Sequence, residues 1–262
     1  MQTHFDERGL DKLGYIINDC SIEHLQPEFK GVVDAVIQSL TEQLPNKIHS
    51  IYLYGSVARG TAVVGRSDLD VSVVFNHDIS SDDEKTLGHI SLLIPSEHNT
   101  VSKLDIDPGS LQQVLNEEEK FRWHFWLKHC CCCVWGEDLS QRFEQLKPDL
   151  RIALALNGDL ANAIKQFEAQ PAQSQGKVIG KKILRSAYSL VAHIDGSWYS
   201  NLEKCAQVAT RFYPQFADSI QMALNLALGK QVSQQQILML CSSFGKELVS
   251  ELQRVKMSEH IL

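Results

Sequence analysis

A short apolar stretch runs into a glycine-serine bend, and two aspartates one residue apart follow about a dozen positions later. Few folds accommodate that order. Ile48-His-Ser-Ile-Tyr-Leu-Tyr54 is β-branched and aromatic and breaks at Gly55-Ser56, which predicts a strand entering a turn; Leu69 to Phe75 alternates as a second strand. Side chains on a strand repeat every two residues, so Asp68 and Asp70 project from one face with their carboxylates side by side. Two such charges repel unless something positive lies between them, and a hard divalent cation with oxygen ligands suits that place. A Gly55-Ser56 turn lets backbone N–H groups approach a phosphate. Ser56 adds a hydroxyl donor, Ser67 joins it as a candidate on the phosphate side, and Arg59 and Arg66 either offset phosphate charge or are solvated surface arginines. Reading Gly55-Ser56 as a plain turn and Asp68 as a cap leaves Asp70 without explanation.

The remaining pattern builds around this stretch. Apolar residues from Phe29 to Leu44 recur at helical steps, residues 57–63 start a short helix, and Ser80 to Leu93 suits a helix capped by Ser80 or Ser81 with acids in its first turn. Thr100 to Asp107 reads as a third strand closed by Pro108-Gly109. Beyond Gly109 the reading is wholly helical: Leu111–Val134, Leu150–Phe167, Lys177–His193, Tyr199–Phe212, Pro214–Leu228 and Ser233–Lys256. The fold class is therefore α+β. A short mixed-sheet domain over residues 1–145 is followed by an all-helical bundle over 146–262.

Charge supports two unlike parts: residues 1–150 carry 13 Lys and Arg against 24 Asp and Glu, whereas 151–262 carry 12 against 8, within a total of −7. An acidic chain is a poor general nucleic-acid binder. No run of 18 apolar residues occurs and no apolar leader follows a basic flank, so no membrane segment is expected and the cytoplasm is the expected compartment. The seven cysteines have no disulfide-framework spacing. Four consecutive side chains, Cys130 to Cys133, cannot converge on one tetrahedral ion, and they read as small buried residues. His124 and His129, five apart, are wrongly spaced for a helical zinc pair.

Gly55-Ser56 followed by Asp68-x-Asp70 resembles the signature of the DNA polymerase beta-like nucleotidyltransferase superfamily. The resemblance implies a short twisted sheet with flanking helices, two Mg²⁺ ions held by the aspartate pair, and transfer of a nucleotidyl group from ATP or another nucleoside triphosphate with release of pyrophosphate. It also implies a third carboxylate on a neighbouring strand. Asp105, between Leu104 and Ile106, is the choice; Asp107 shares its face and could replace or support it. Asp68 and Asp70 would then bridge two cations, with Asp105 also steering the acceptor's hydroxyl proton.

Trp135-Gly136-Glu137-Asp138-Leu139 is similar to the junction of bacterial aminoglycoside and lincosamide adenylyltransferases, which join such a domain to a helical bundle. That likeness implies an acceptor site in a cleft between the parts. Lys181 and Arg185, four apart on one helix face, would reach the triphosphate or else remain surface cations. Trp123, Trp126, Trp135 and Trp198 either stack on a ring of the ligand or fill the core. The leading expectation is an adenylyltransferase acting on a hydroxyl of a small molecule, for which a polycationic antibiotic would suit the acidic part. The alternatives are a protein-modifying adenylyltransferase of the antitoxin type, a nucleic-acid tailing enzyme, disfavoured for want of a basic stripe, and a non-catalytic nucleotide-binding module.

Overall fold

The computed structural model describes residues 8–259 of the chain. They fall into two compact units, Asn18–Gln145 and a second that joins Leu146 onward to the described residues up to Ile17.

The first unit is a four-stranded mixed sheet covered on one side by two helices. Helix α1 (Pro27–Gln43) starts with proline at its first position and buries Phe29, Val32, Val33, Val36 and Leu40. Strand β1 (Ile48–Tyr54) leads through the single-turn helix α2 (Gly55–Ala58) to β2 (Leu69–Phe75), its antiparallel partner. Helix α3 (Ser81–Glu97) is the crossover to β3 (Leu104–Ser110), which lies parallel to β2, as a parallel pair requires an intervening connection. The short helices α4 (Leu111–Val114) and α5 (Phe125–His129), with a π-type turn at Lys120–His124 between them, bring the chain to β4 (Cys131–Gly136). The order across the sheet is β3-β2-β1-β4.

Period two sorts the side chains cleanly. Ile51, Leu53, Leu69, Val71, Val73 and Leu104 share one core with the apolar stripes of α1 and α3. Tyr52 and Val74 point the other way, into a second core with Trp123, Leu127, Cys131 and Leu139. Asp70, Asp105 and Asp107 stand on this second face.

Two expectations fail here. The third strand does not close at Pro108-Gly109 but runs through them to Ser110, because an edge strand can accept a proline whose nitrogen is not needed by the ladder. Leu111–Val134 is not one helix and Gly109 is not the end of strand structure: Cys131–Gly136 forms β4 against β1. Cys132 and Val134 pack toward the α1–α3 core while Cys131 and Cys133 pack toward the other. A strand with apolar contacts on both faces shows no polar alternation, so its period is invisible in sequence.

The second unit is helical. Helices α6 (Leu150–Asn157), α7 (Leu160–Ala169), α8 (Gly176–Asp195), α9 (Leu202–Phe212), α10 (Ala217–Ala227), α11 (Gln234–Leu240) and α12 (Lys246–Glu259) follow in order. The expected Leu150–Phe167 helix breaks at Gly158-Asp159, and Ser233–Lys256 is interrupted by a π-type turn at Cys241–Gly245. The long α8 is the axis, burying Ile183, Leu184, Ala187, Tyr188 and Val191. Gly180 permits the close approach of α10, since a Cβ there would fall 2.4 Å from that of Leu226. The 1–145 division also needs adjustment at its start: the amide of Ile16 donates to Leu146 O at 2.9 Å and that of Trp198 to Arg8 O at 2.8 Å, tying this segment to the helices.

Candidate active site

The geometry is built from the sheet upward. Parallel pairing sets Asp70 of β2 directly beside Asp105 of β3, and Ser72 beside Asp107. Asp68 precedes β2 by one residue and lies 2.6 Å from the hydroxyl of Ser102, which also lies 3.0 Å from Arg66 O. Gly55, first residue of α2, sits at φ +74°, and a Cβ at that position would lie 2.0 Å from Asp70 Oδ2. The glycine of the bend is thus required twice, by its backbone and by the carboxylate resting against it. Asp70 and Asp105 are half-buried, so the site opens to solvent without being fully hydrated.

Two groups that the sequence reading passed over, Lys103 and Tyr54, and one that it named, Trp126, complete the surroundings. Lys103 forms an ion pair with Asp105. Its hydrogen bond to Asp105, joined by the charges of Asp105, Asp68 and Asp70, holds its pKa above the usual lysine range. Tyr54, opposite Asp70 across the β1–β2 ladder, donates its hydroxyl to Asp107. Burial, reinforced by the charge of Asp107, keeps this phenol protonated far above its ordinary pKa. Trp126 stands edge-on to Tyr54 at 4.9 Å between ring centroids and donates Nε1–H to the buried hydroxyl of Ser72 at 3.1 Å. The available signal was the alternation Lys103-x-Asp105-x-Asp107, which places a cation on the acids' own face.

Other candidates stand elsewhere. Ser56 is in α2, beside the glycine. Arg59 caps α2 with its backbone and has its guanidinium 3.9 Å from Asp19. The Ser67 hydroxyl accepts the Val63 amide at 2.9 Å and closes the loop before β2. Arg66 is exposed on that loop. In the helical unit, Lys181 is exposed on α8, whereas Arg185 donates to Tyr199 O at 2.8 Å and also to Ser200 O, a clamp on the chain leading into α9 in place of the expected phosphate contact. Trp123 is core and Trp126 belongs to the site wall.

A metal fits the donor chemistry, because three carboxylates offer hard oxygen ligands and the bare glycine lets the Asp70 carboxylate rest against the bend. As they stand, the side chains are turned to other partners, and among the described residues no group of three His, Cys, Asp or Glu is already arranged to hold an ion.

A strand, a glycine-serine bend and paired aspartates thus meet on one side of the sheet. Residues 33–124 match the nucleotidyltransferase domain family. This unit is a nucleotidyltransferase domain. The match spans α1 through the turn before α5 and so includes Gly55, Asp68, Asp70 and Asp105. Among solved structures, the nucleotidyltransferase chain is similar to the spectinomycin adenyltransferase AAD(9) from Enterococcus faecialis, crystallised with ATP and spectinomycin, at a TM-score of 0.59 and 14% identity over 83% of this chain and 98% of that one. At this identity the likeness is one of fold. None of the curated proteins matches the chain. Among the described residues, no helix is long and apolar enough to cross a membrane.

Proposed function

We propose that this nucleotidyltransferase is a cytoplasmic, Mg²⁺-dependent adenylyltransferase that moves AMP from ATP to a hydroxyl of a small-molecule acceptor and releases pyrophosphate. The observation that carries the reading is the in-register pair Asp70–Asp105 beside Gly55, where a side chain would run into the Asp70 carboxylate. The family match over the same residues and the fold shared with an enzyme crystallised with ATP and an antibiotic support it.

In the proposed reaction the acceptor oxygen attacks the α-phosphorus of ATP in line with the departing pyrophosphate, a new P–O bond forms as the bond to the β-phosphate oxygen breaks, and the hydroxyl proton passes to a carboxylate. Asp105 is the proposed proton acceptor. Asp68, Asp70 and Asp105 would hold the divalent ions, and these, when bound, neutralise the charge on the attacking and leaving oxygens. Ser56 and the α2 amides are the proposed contacts for the polyphosphate, with Arg59, Arg66, Ser67 and Lys181 as further candidates. Arg185, held on backbone carbonyls, contributes instead by fixing the segment before α9.

The acidic charge of residues 1–150 favours a cationic acceptor, and an aminocyclitol or aminoglycoside antibiotic is the proposed class. The test is incubation with labelled ATP and Mg²⁺ over a panel of such compounds, with mass analysis of the product. Wild-type protein should yield an adenylylated antibiotic and pyrophosphate, and Asp70→Ala should lower the rate by about 10³-fold or more while the fold is retained. Label appearing on protein and on no small molecule would point to the protein-modifying alternative; transfer surviving Asp70→Ala would refute the site.

A further inference from the structure

Lys103 is not a residue that packing puts in place. Its side chain is 63% exposed, yet the ammonium turns onto Asp105, itself 39% exposed, and not into solvent. It stands just before β3, two positions before Asp105, and it feels the charges of Asp68 and Asp70 as well as that of its partner. What brings it there is attraction to a cluster of carboxylates that would otherwise repel one another. A divalent ion bound by Asp68, Asp70 and Asp105 would have to share the Asp105 carboxylate with the Lys103 ammonium, and two cations on one carboxylate repel.

We propose that Lys103 is a built-in counter-ion of this site: a tethered positive charge that neutralises the carboxylates in the metal-free protein, is displaced from Asp105 when the divalent cation enters, and is then left beside the site as a partner for the polyphosphate. The inference rests on the reading that these aspartates hold a metal. It gives the pair a function beyond surface stability, since an exposed ion pair of this kind contributes little to folding. It also implies an order of preference. Bare metal must break the lysine–aspartate pair with nothing in return, whereas metal arriving with a nucleotide supplies the released ammonium with a phosphate oxygen, so the site favours the metal–nucleotide complex over either part alone.

The experiment measures Mn²⁺ binding by electron paramagnetic resonance of the free ion, with and without a nonhydrolysable ATP analogue, for the wild-type protein, Lys103→Met, Lys103→Arg and Asp70→Asn. Removing the tethered charge should tighten binding of Mn²⁺ alone by roughly five-fold or more and weaken binding of the analogue by a similar factor, while Lys103→Arg should stay close to wild type. Wild-type protein that binds Mn²⁺ while Lys103→Met binds it no more tightly overturns the inference and leaves the metal reading intact. So does a Lys103→Arg variant that tightens as much as Lys103→Met, because charge would not then be the cause. If no variant binds Mn²⁺ with or without the analogue, or if Asp70→Asn binds as wild type does, the metal reading itself falls, and the inference with it.

Discussion

One methyl group decides the state of the site at Gly55. Alanine there would carry a Cβ into the Asp70 carboxylate and would have to hold a backbone angle that side chains rarely tolerate. Gly55→Ala should destabilise the protein by about 1–3 kcal/mol in urea titration and should also lower transfer, because Asp70 must move to make room. A variant as stable and as active as wild type would show that Asp70 has space the structure does not give it. At this scale the glycine, the serine and the aspartates were legible in the sequence, since their types and spacing carry chemistry by themselves. Tyr54 was not. It owes its place to Asp107, two strands away, a partner that exists only once the strand order is set, whereas Lys103 meets Asp105 two positions along the chain, a spacing that was present but not read.

Helix α3 shows how one element is fixed in the fold. Ser80 accepts the Asp83 amide at 3.2 Å while the Asp83 carboxylate accepts the Ser80 amide at 3.0 Å, a reciprocal cap. The same carboxylate, 1% exposed, receives the ammonium of Lys47 at 2.7 Å, just before β1. Hydrogen bonds from Lys47 and Ser80 hold its pKa at about 2, well below the usual carboxylate range. A depressed carboxylate pKa stabilises the fold above the unfolded value, and the contribution is lost as pH falls from about 4 toward 2, amounting to about 2 kcal/mol. Urea midpoints between pH 5 and pH 2 should therefore fall less steeply in Asp83→Asn than in wild type; parallel curves would contradict the linkage. The Ser80 cap was readable because capping is a local pattern, and β1 and β2 were readable because each alternates or ends in a turn. Strand β4 was hidden: Cys131 to Cys133 have no polar alternation, and only the open edge of β1 draws them into extended form.

For the molecule as a whole, the charge imbalance between residues 1–150 and 151–262 is a property of the field and not of any single contact. If the acceptor is a polycation, its kcat/KM should drop by about an order of magnitude between low salt and 0.5 M salt, whereas a neutral acceptor should show little change. Equal salt dependence for both would remove electrostatic attraction from the account. The two compact units are one bearing the sheet and one helical, and the segment around Leu10 to Ile16 belongs to the helical one through backbone bonds that leave no mark in composition.

The proline inside β3 has a last consequence. That strand is the outermost on its side of the sheet, and a parallel edge offers a free row of amides to any extended peptide that drifts past. Pro108 deletes one amide from the row and stiffens the backbone where it stands. The flank nearest the acidic face is thereby made a poorer template for pairing with a further extended strand.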